Sequence, residues 1–408
     1  MRTRRFLGLM AACILLAGCA TVEMNSSLKT APTDLFPGQE ILPIMSWYSI
    51  PPAHLSLERY IEMKEAGFNL NFSHIYNLND ALKALDLAQQ AGIRNIFMCN
   101  ELRSKPEETV KAVMNHPGLA GYFLVDEPQT QTFPELWAWA KRIMDTDPNH
   151  LCYLNLLPTY ATSIFKSLDE YGEHVRRFVD EVPIPLVSFD HYPIVNNTIR
   201  PDWYANLEII AREAARVNRP FWAFALTTAH GPYPVPNMDS LRLQMYSNLA
   251  YGAQGLQYFT YWNPTGNANL DFHQAPITLA AKRCSTYDIV RDMNQELQAR
   301  AFVFVRSKVL SVNHLGKDIP TGTRRLEQLP PKVTKLDTHD KGAIVSVLEK
   351  EGRQYLVIVN RSLTEQMDLT ITFEPGVNRI RKDGSKVAAD KYIDTLQVTP
   401  GACEVFEL

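Results

Sequence analysis

The chain has no cysteine pair at zinc-ligand spacing, no HxH or HExxH pattern among its 10 histidines, and no glycine-rich loop after its first β-rich run. These absences argue against a metal centre and against a dinucleotide or nucleotide cofactor, so none is expected. Charge of one sign is also missing. Lys and Arg number 41 against 44 Asp and Glu, and the net charge of −3 gives nucleic acid no electrostatic hold. Neutral partners fit that balance better. There is no internal repeat and no low-complexity tract. Of six cysteines, Cys13 and Cys19 fall in the first twenty residues, and Cys99, Cys152, Cys284 and Cys403 are scattered through the rest. Cys99 and Cys152 fall on β-rich runs that are not neighbours, so free buried thiols are expected rather than disulfides.

The first residues are MRTRRFLGLMAACILLAGCA: three arginines, an apolar run from Phe6 to Ala17, then Leu16-Ala17-Gly18-Cys19. An apolar run of about a dozen residues is too short to span a bilayer core of ~30 Å, and its small-residue end has the character of an export signal. The Leu-Ala-Gly-Cys ending resembles the bacterial lipobox, which implies cleavage before Cys19 and acylation of that cysteine. Residues 1–18 are then the signal and 19–36 a flexible tether. This predicts an exported lipoprotein held at a membrane on the periplasmic or outer side. Oligomeric state is not legible.

From Ile41 to Trp262 eight β-rich runs alternate with amphipathic segments, the pattern of a parallel sheet with crossover helices. The runs are 41–50, 69–75, 94–101, 119–127, 151–157, 184–192, 220–227 and 255–262. Between them lie stretches such as SLERYIEMKEAG and FPELWAWAKRIMDTDP, with helical apolar spacing and closing Gly or Pro. Eight units predict an α/β fold, a (β/α)8 TIM barrel over residues 37–307, in preference to an open doubly wound sheet. A helical stretch over 277–301 would close it. Beyond Val309 the runs GAIVSVLEK, QYLVIVNRS, MDLTITF and CEVFEL alternate at period two, predicting a small antiparallel β-sandwich over 308–408.

Active sites of such barrels lie at the C-terminal ends of the strands. The runs place Trp47 and Tyr48 there from strand one, His74 from strand two, Asn100 and Glu101 from strand three, and Asp126 and Glu127 from strand four. Asn155 follows from strand five, Asp190, His191 and Tyr192 from strand six, and Tyr258, Trp262 and Asn263 from strand eight. Aromatic rings supply apolar faces for a pyranose, while amides, imidazoles and carboxyls bind hydroxyls. The set predicts a carbohydrate site. Within it, Gly121-Tyr122-Phe123-Leu124-Val125-Asp126-Glu127-Pro128 puts two adjacent acids at the end of a buried run. Burial and a like-charged neighbour raise a carboxyl pKa, as a general acid requires. The same pair could instead cap the helix beginning near Thr132.

These residues resemble the clan of retaining (β/α)8 glycoside hydrolases that includes the family 42 β-galactosidases, in which strand four ends in Asn-Glu. The resemblance implies that Glu127 is the acid/base and that Asp126 takes the place of the hydroxyl-binding Asn. More similar still are bacterial barrel lipoproteins labelled as glycosidases, whose strand four reads Gly-Tyr-Phe-x-x-Asp-Glu-Pro. The resemblance spans roughly residues 40–300. It departs at strand seven, where the clan carries a nucleophilic Glu and PFWAFALTTAHG carries no acid. Asp190 is the first candidate for the second carboxylate and Glu101 the second. The expected function is hydrolysis of O-glycosidic bonds; the alternative is a non-catalytic carbohydrate-binding lipoprotein on a degenerate barrel.

Overall fold

The computed structural model describes residues 33–265, 269–389 and 395–408. The leader and Cys19 lie outside the described residues, as does the centre of the loop after strand eight.

Eight parallel strands form the first sheet: β1 (Ile44–Trp47), β2 (Leu70–Asn71), β3 (Arg94–Phe97), β4 (Leu119–Asp126), β5 (Leu151–Asn155), β6 (Val187–Phe189), β7 (Phe221–Leu226) and β8 (Gly255–Phe259). Their order is β5-β4-β3-β2-β1-β8-β7-β6. A parallel bridge from Leu156 to Phe189, with the Leu156 N–H donating to Ser188 O at 2.8 Å, joins β5 to β6. The sheet is therefore a closed (β/α)8 barrel, as the alternation predicts. All eight expected strands exist, each shorter than its apolar run.

Crossover helices cover the outside: α1 (Leu57–Glu65), α2 (Leu78–Ala91), α3 (Asn100–Ser104), α4 (Pro106–Val113), α5 (Phe133–Thr146), α6 (Leu168–Glu181), α7 (Trp203–Arg216), α8 (Met238–Ala250) and α9 (Ser285–Ala299). Their starts follow capping chemistry, since Ser56, Asn77, Ser167 and Asn237 each accept a backbone N–H with the side chain. The closing helix begins at Ser285, later than the predicted 277. Residues from Ile277 to Cys284 are held instead by turns and bridges, with Ile277 paired to both Trp262 and Arg283.

Period-two alternation divides the strand residues between two cores. Met45, Trp47, Leu70, Phe72, Ile96, Phe123, Tyr153, Trp222 and Phe224 fill the barrel interior. Ile44, Tyr122, Cys152, Val187, Ala223 and Tyr258 face the helices. Cys99, Cys152, Cys284 and Cys403 are all free thiols.

The C-terminal strands are β9 (Lys308–Leu315), β10 (Val333–Asp337), β11 (Ala343–Lys350), β12 (Arg353–Asn360), β13 (Met367–Phe373), β14 (Asn378–Ile380), β15 (Lys386–Ala388), β16 (Thr395–Val398) and β17 (Cys403–Glu407). They form a six-stranded sheet, β9-β11-β12-β17-β14-β15, and a three-stranded sheet, β10-β13-β16. Val345, Val347, Leu356, Ile358, Leu369 and Ile371 fill the space between them. The opposite face of the larger sheet, with Ile344, Leu348, Val357 and Val359, joins the helix-side core of the barrel. Buried Arg300 pins that seam by donating to the carbonyls of Arg381 (3.0 Å), Cys403 (3.1 Å) and Ile380 (3.2 Å) and to the Tyr246 hydroxyl (3.2 Å).

Candidate active site

The acids of β4 reach the mouth through a local irregularity. Register runs Phe123 to Tyr153 and then Asp126 to Asn155, so three steps on β4 match two on β5. That extra residue is a β-bulge. Without it, inward-facing Phe123 would make Val125 the next inward residue. With it, Asp126 shares the inward parity of Tyr153 and Asn155. Glu127 then takes a left-handed conformation (φ 48) while its N–H donates to Asn155 O at 2.8 Å. A non-glycine residue held there costs conformational energy, and such strain clusters at functional sites.

Two carboxyls converge on one amide. Asn155 Nδ2 donates to Asp190 Oδ1 at 2.9 Å and to Asp126 Oδ1 at 3.4 Å. Its Oδ1 accepts from Ser188 Oγ at 3.1 Å, and Ser188 Oγ accepts from Gln257 Nε2 at 2.8 Å. Tyr153 completes this ladder by donating to Gln257 Oε1. The inward residues of β5, β6 and β8 thus fix the amide from beneath.

Glu127 and Asp190 face one another closely enough for their charges to interact. Two such carboxyls resist being ionised together. Burial, then the charges of Glu127 and Asp126, raise Asp190 well above the usual carboxylate range. Burial also raises Glu127, against a lowering contribution from Asp190. Asp126 is pushed up to about 7, first by burial and then by Glu127, with Asn155 opposing. Asp126 and Glu127 are nonetheless exposed at the mouth, with protein packed densely behind them. Glu127 and Asp190 start two strands apart, about 10 Å, and project into the same mouth.

Tyr192 follows Asp190 by two residues, and the Tyr48 ring lies 5.4 Å from His74. Burial depresses His74 to about 4, so its imidazole is neutral at physiological pH, and its Nδ1 is buried without a partner.

Several predicted contacts are corrected. Trp47 points inward but lies below the mouth, 3% exposed, with its ring 4.5 Å from Phe72 and 5.5 Å from Phe123. Trp262 and Tyr258 belong to the helix-side core. Trp262 packs on His54 and under Arg59, and the Tyr258 hydroxyl donates to Asn294 on α9. Asn100 and Glu101 open α3 rather than ending a strand, and Glu101 Oε2 is buried without a partner. His191 alternates away from Asp190 and approaches Asp202 at 3.7 Å. Asn263 is buried, its Nδ2 donating to Phe272 O at 2.7 Å.

Sequence reasoning missed Tyr160, Arg200, Tyr233 and Phe259. Tyr160 Oη accepts the Tyr192 N–H at 3.2 Å, and Phe259 and Tyr233 pack on Tyr192 at 5.5 and 6.1 Å. Tyr160, Arg200 and Tyr233 lie on loops after β5, β6 and β7, where no periodicity marks a residue's direction. The end of β7 carries no acid: Thr227 and Thr228 spend their hydroxyls on the carbonyls of Thr260 and His273.

No protein-family model matches the sequence, and no curated protein sequence matches it. Among solved structures, the chain is similar to a glycoside hydrolase family 5 protein from Bacteroides vulgatus at TM-score 0.58 and 11% identity, covering 90% of this chain and 88% of that one. A catalytic mutant of a family 42 β-galactosidase from G. stearothermophilus matches at TM-score 0.56 and 9% identity, covering 91% and 98%. Against a β-galactosidase from Marinomonas ef1 the TM-score is 0.48 at 10% identity, covering 64% of this chain, which spans 60% of that protein's length. The chain has the (β/α)8-barrel fold found in glycoside hydrolases.

Proposed function

We propose that the protein is a glycoside hydrolase that cleaves O-glycosidic bonds of oligo- or polysaccharides with Glu127 and Asp190 as its working carboxylates. The observation that carries this reading is the gathering of Asp126 and Asp190 on the Asn155 amide at the C-terminal mouth of the barrel, with the charge of Glu127 acting on Asp190. In the free site these raised carboxyls hold a proton. A sugar entering between them leaves that proton on Glu127, which delivers it to the glycosidic oxygen as the bond to the anomeric carbon breaks. Asp190, then ionised, attacks the anomeric carbon and forms an ester. Glu127, now a carboxylate, takes a proton from the water that hydrolyses that ester, restoring both groups. Retention at the anomeric centre follows from this covalent step. Asp126 and His74 bind hydroxyls, the neutral imidazole serving as donor or acceptor.

A panel of aryl glycosides tests this. The wild type should turn over at least one member, and Glu127→Gln and Asp190→Asn should each cost about 10²–10⁴-fold in kcat. Undiminished activity in either variant would refute its role. A second reading, a sugar-binding barrel without turnover, draws on the hydroxyl-only end of β7. Under it, calorimetry detects sugar binding and no substrate is cleaved. We also propose that acylated Cys19 anchors the chain to a membrane outside the cytoplasm, which places the site where extracellular saccharides arrive.

A further inference from the structure

Arg200 is a cation built into the wall of this mouth without an anion of its own. Its guanidinium carbon lies 4.1 Å from the centre of the Tyr160 ring, and Nη2 donates to the Tyr233 hydroxyl at 3.3 Å. Both rings stand against Tyr192, two residues after Asp190: Tyr160 receives the Tyr192 N–H, and Tyr233 packs on its ring at 6.1 Å. Arg200 Nε is buried with no hydrogen-bond partner. Among the described residues no carboxylate lies within ion-pair distance of Arg200, and nearby Asp202 accepts from Thr159 Oγ1 at 2.6 Å. An unpaired guanidinium with an unmet N–H, laid flat on an aromatic ring, is a costly arrangement for scaffolding alone. It is a usual arrangement for reading an oxyanion, because the fork is fixed in plane and two donors face one anion.

We propose that Arg200 recognises an anionic substituent on the sugar, so that the substrates are acidic glycosides, with a uronate carboxylate or a sulfate ester as the group read. This rests on the glycoside hydrolase reading and narrows it. Net charge of −3 describes the whole chain, whereas recognition here depends on one guanidinium on the loop after β6.

Matched aryl glycosides test the proposal: a neutral hexoside, its 6-uronide and its 6-sulfate, with wild type, Arg200→Lys and Arg200→Met. The wild type should prefer one acidic member by at least tenfold in kcat/KM. Arg200→Met should bring the ratio of acidic to neutral near one, and Arg200→Lys should recover part of it, with melting temperatures confirming that both variants fold. Which acidic member is preferred separates carboxylate from sulfate. Neutral substrates cleaved without preference, or a preference that survives in Arg200→Met, would overturn the proposal and leave the hydrolase reading intact. If no glycoside is cleaved, that reading fails, and calorimetry with the free uronic acids, the 6-sulfated sugars and their neutral hexoses decides this one. Tighter binding of an acidic sugar that is lost in Arg200→Met supports it; equal binding or none overturns it.

Discussion

Asp126 shows how far a single residue's environment departs from its chemistry in water. Its carboxyl is pushed up from 3.8 to about 7, by burial first and the Glu127 charge second. Between those values the folded state binds more protons than the unfolded state, so stability falls as pH rises through that window. The melting temperature should therefore decline from pH 4 to pH 7, and Asp126→Asn should flatten part of the decline. Identical slopes in the two proteins would contradict the assignment. The sequence puts Asp126, Asn155 and Asp190 at strand ends, and the structure gathers them there, because strand ends bearing polar residues are few. It puts Trp47, Tyr258 and Trp262 there too, whereas those rings pack into the two cores, because depth and parity decide where a ring lies and a strand's apolar run does not fix its first inward residue. Tyr160 and Arg200 carried no signal at all, since both stand on loops whose path is set by tertiary contacts.

At the scale of elements, β4 is the critical strand. All eight strands were legible as apolar runs between turn signals, but the bulge that turns Asp126 inward was not, because it arises from pairing with β5 rather than from β4's own pattern. Close approach of the two strands depends on Gly121. A Cβ there would stand 2.4 Å from Leu151 O and 2.7 Å from Leu151 Cγ. Gly121→Ala should therefore cost about 1–3 kcal/mol and depress kcat by displacing both acids. Gly172, inside α6, is the control, since its added Cβ would meet only Arg212 Nη2 at 3.8 Å. Gly172→Ala should be neutral or stabilise by up to ~1 kcal/mol through helix propensity. Equal melting temperatures for the two variants would sink the argument.

For the whole molecule, the sandwich is joined to the barrel through one continuous core and the Arg300 seam, while every acid of the candidate site comes from the barrel. The period-two pattern after residue 308 made the sandwich legible; which of its faces meets the barrel was not, because both faces are apolar. Anchoring is a whole-molecule property too. Cys19→Ala should move the protein from the membrane pellet to the soluble exported fraction, and continued pelleting after a high-salt wash would argue against a lipid on Cys19. Turnover integrates all of these features, and one measurement addresses its core: the kcat/KM of Glu127→Gln on aryl glycosides with good and poor leaving groups. A general acid matters only where the departing oxygen needs a proton. The variant should lose about 10²–10⁴-fold on a poor leaving group and far less on a dinitrophenyl glycoside, whereas equal losses on both, or no loss on either, would contradict Glu127 as the acid.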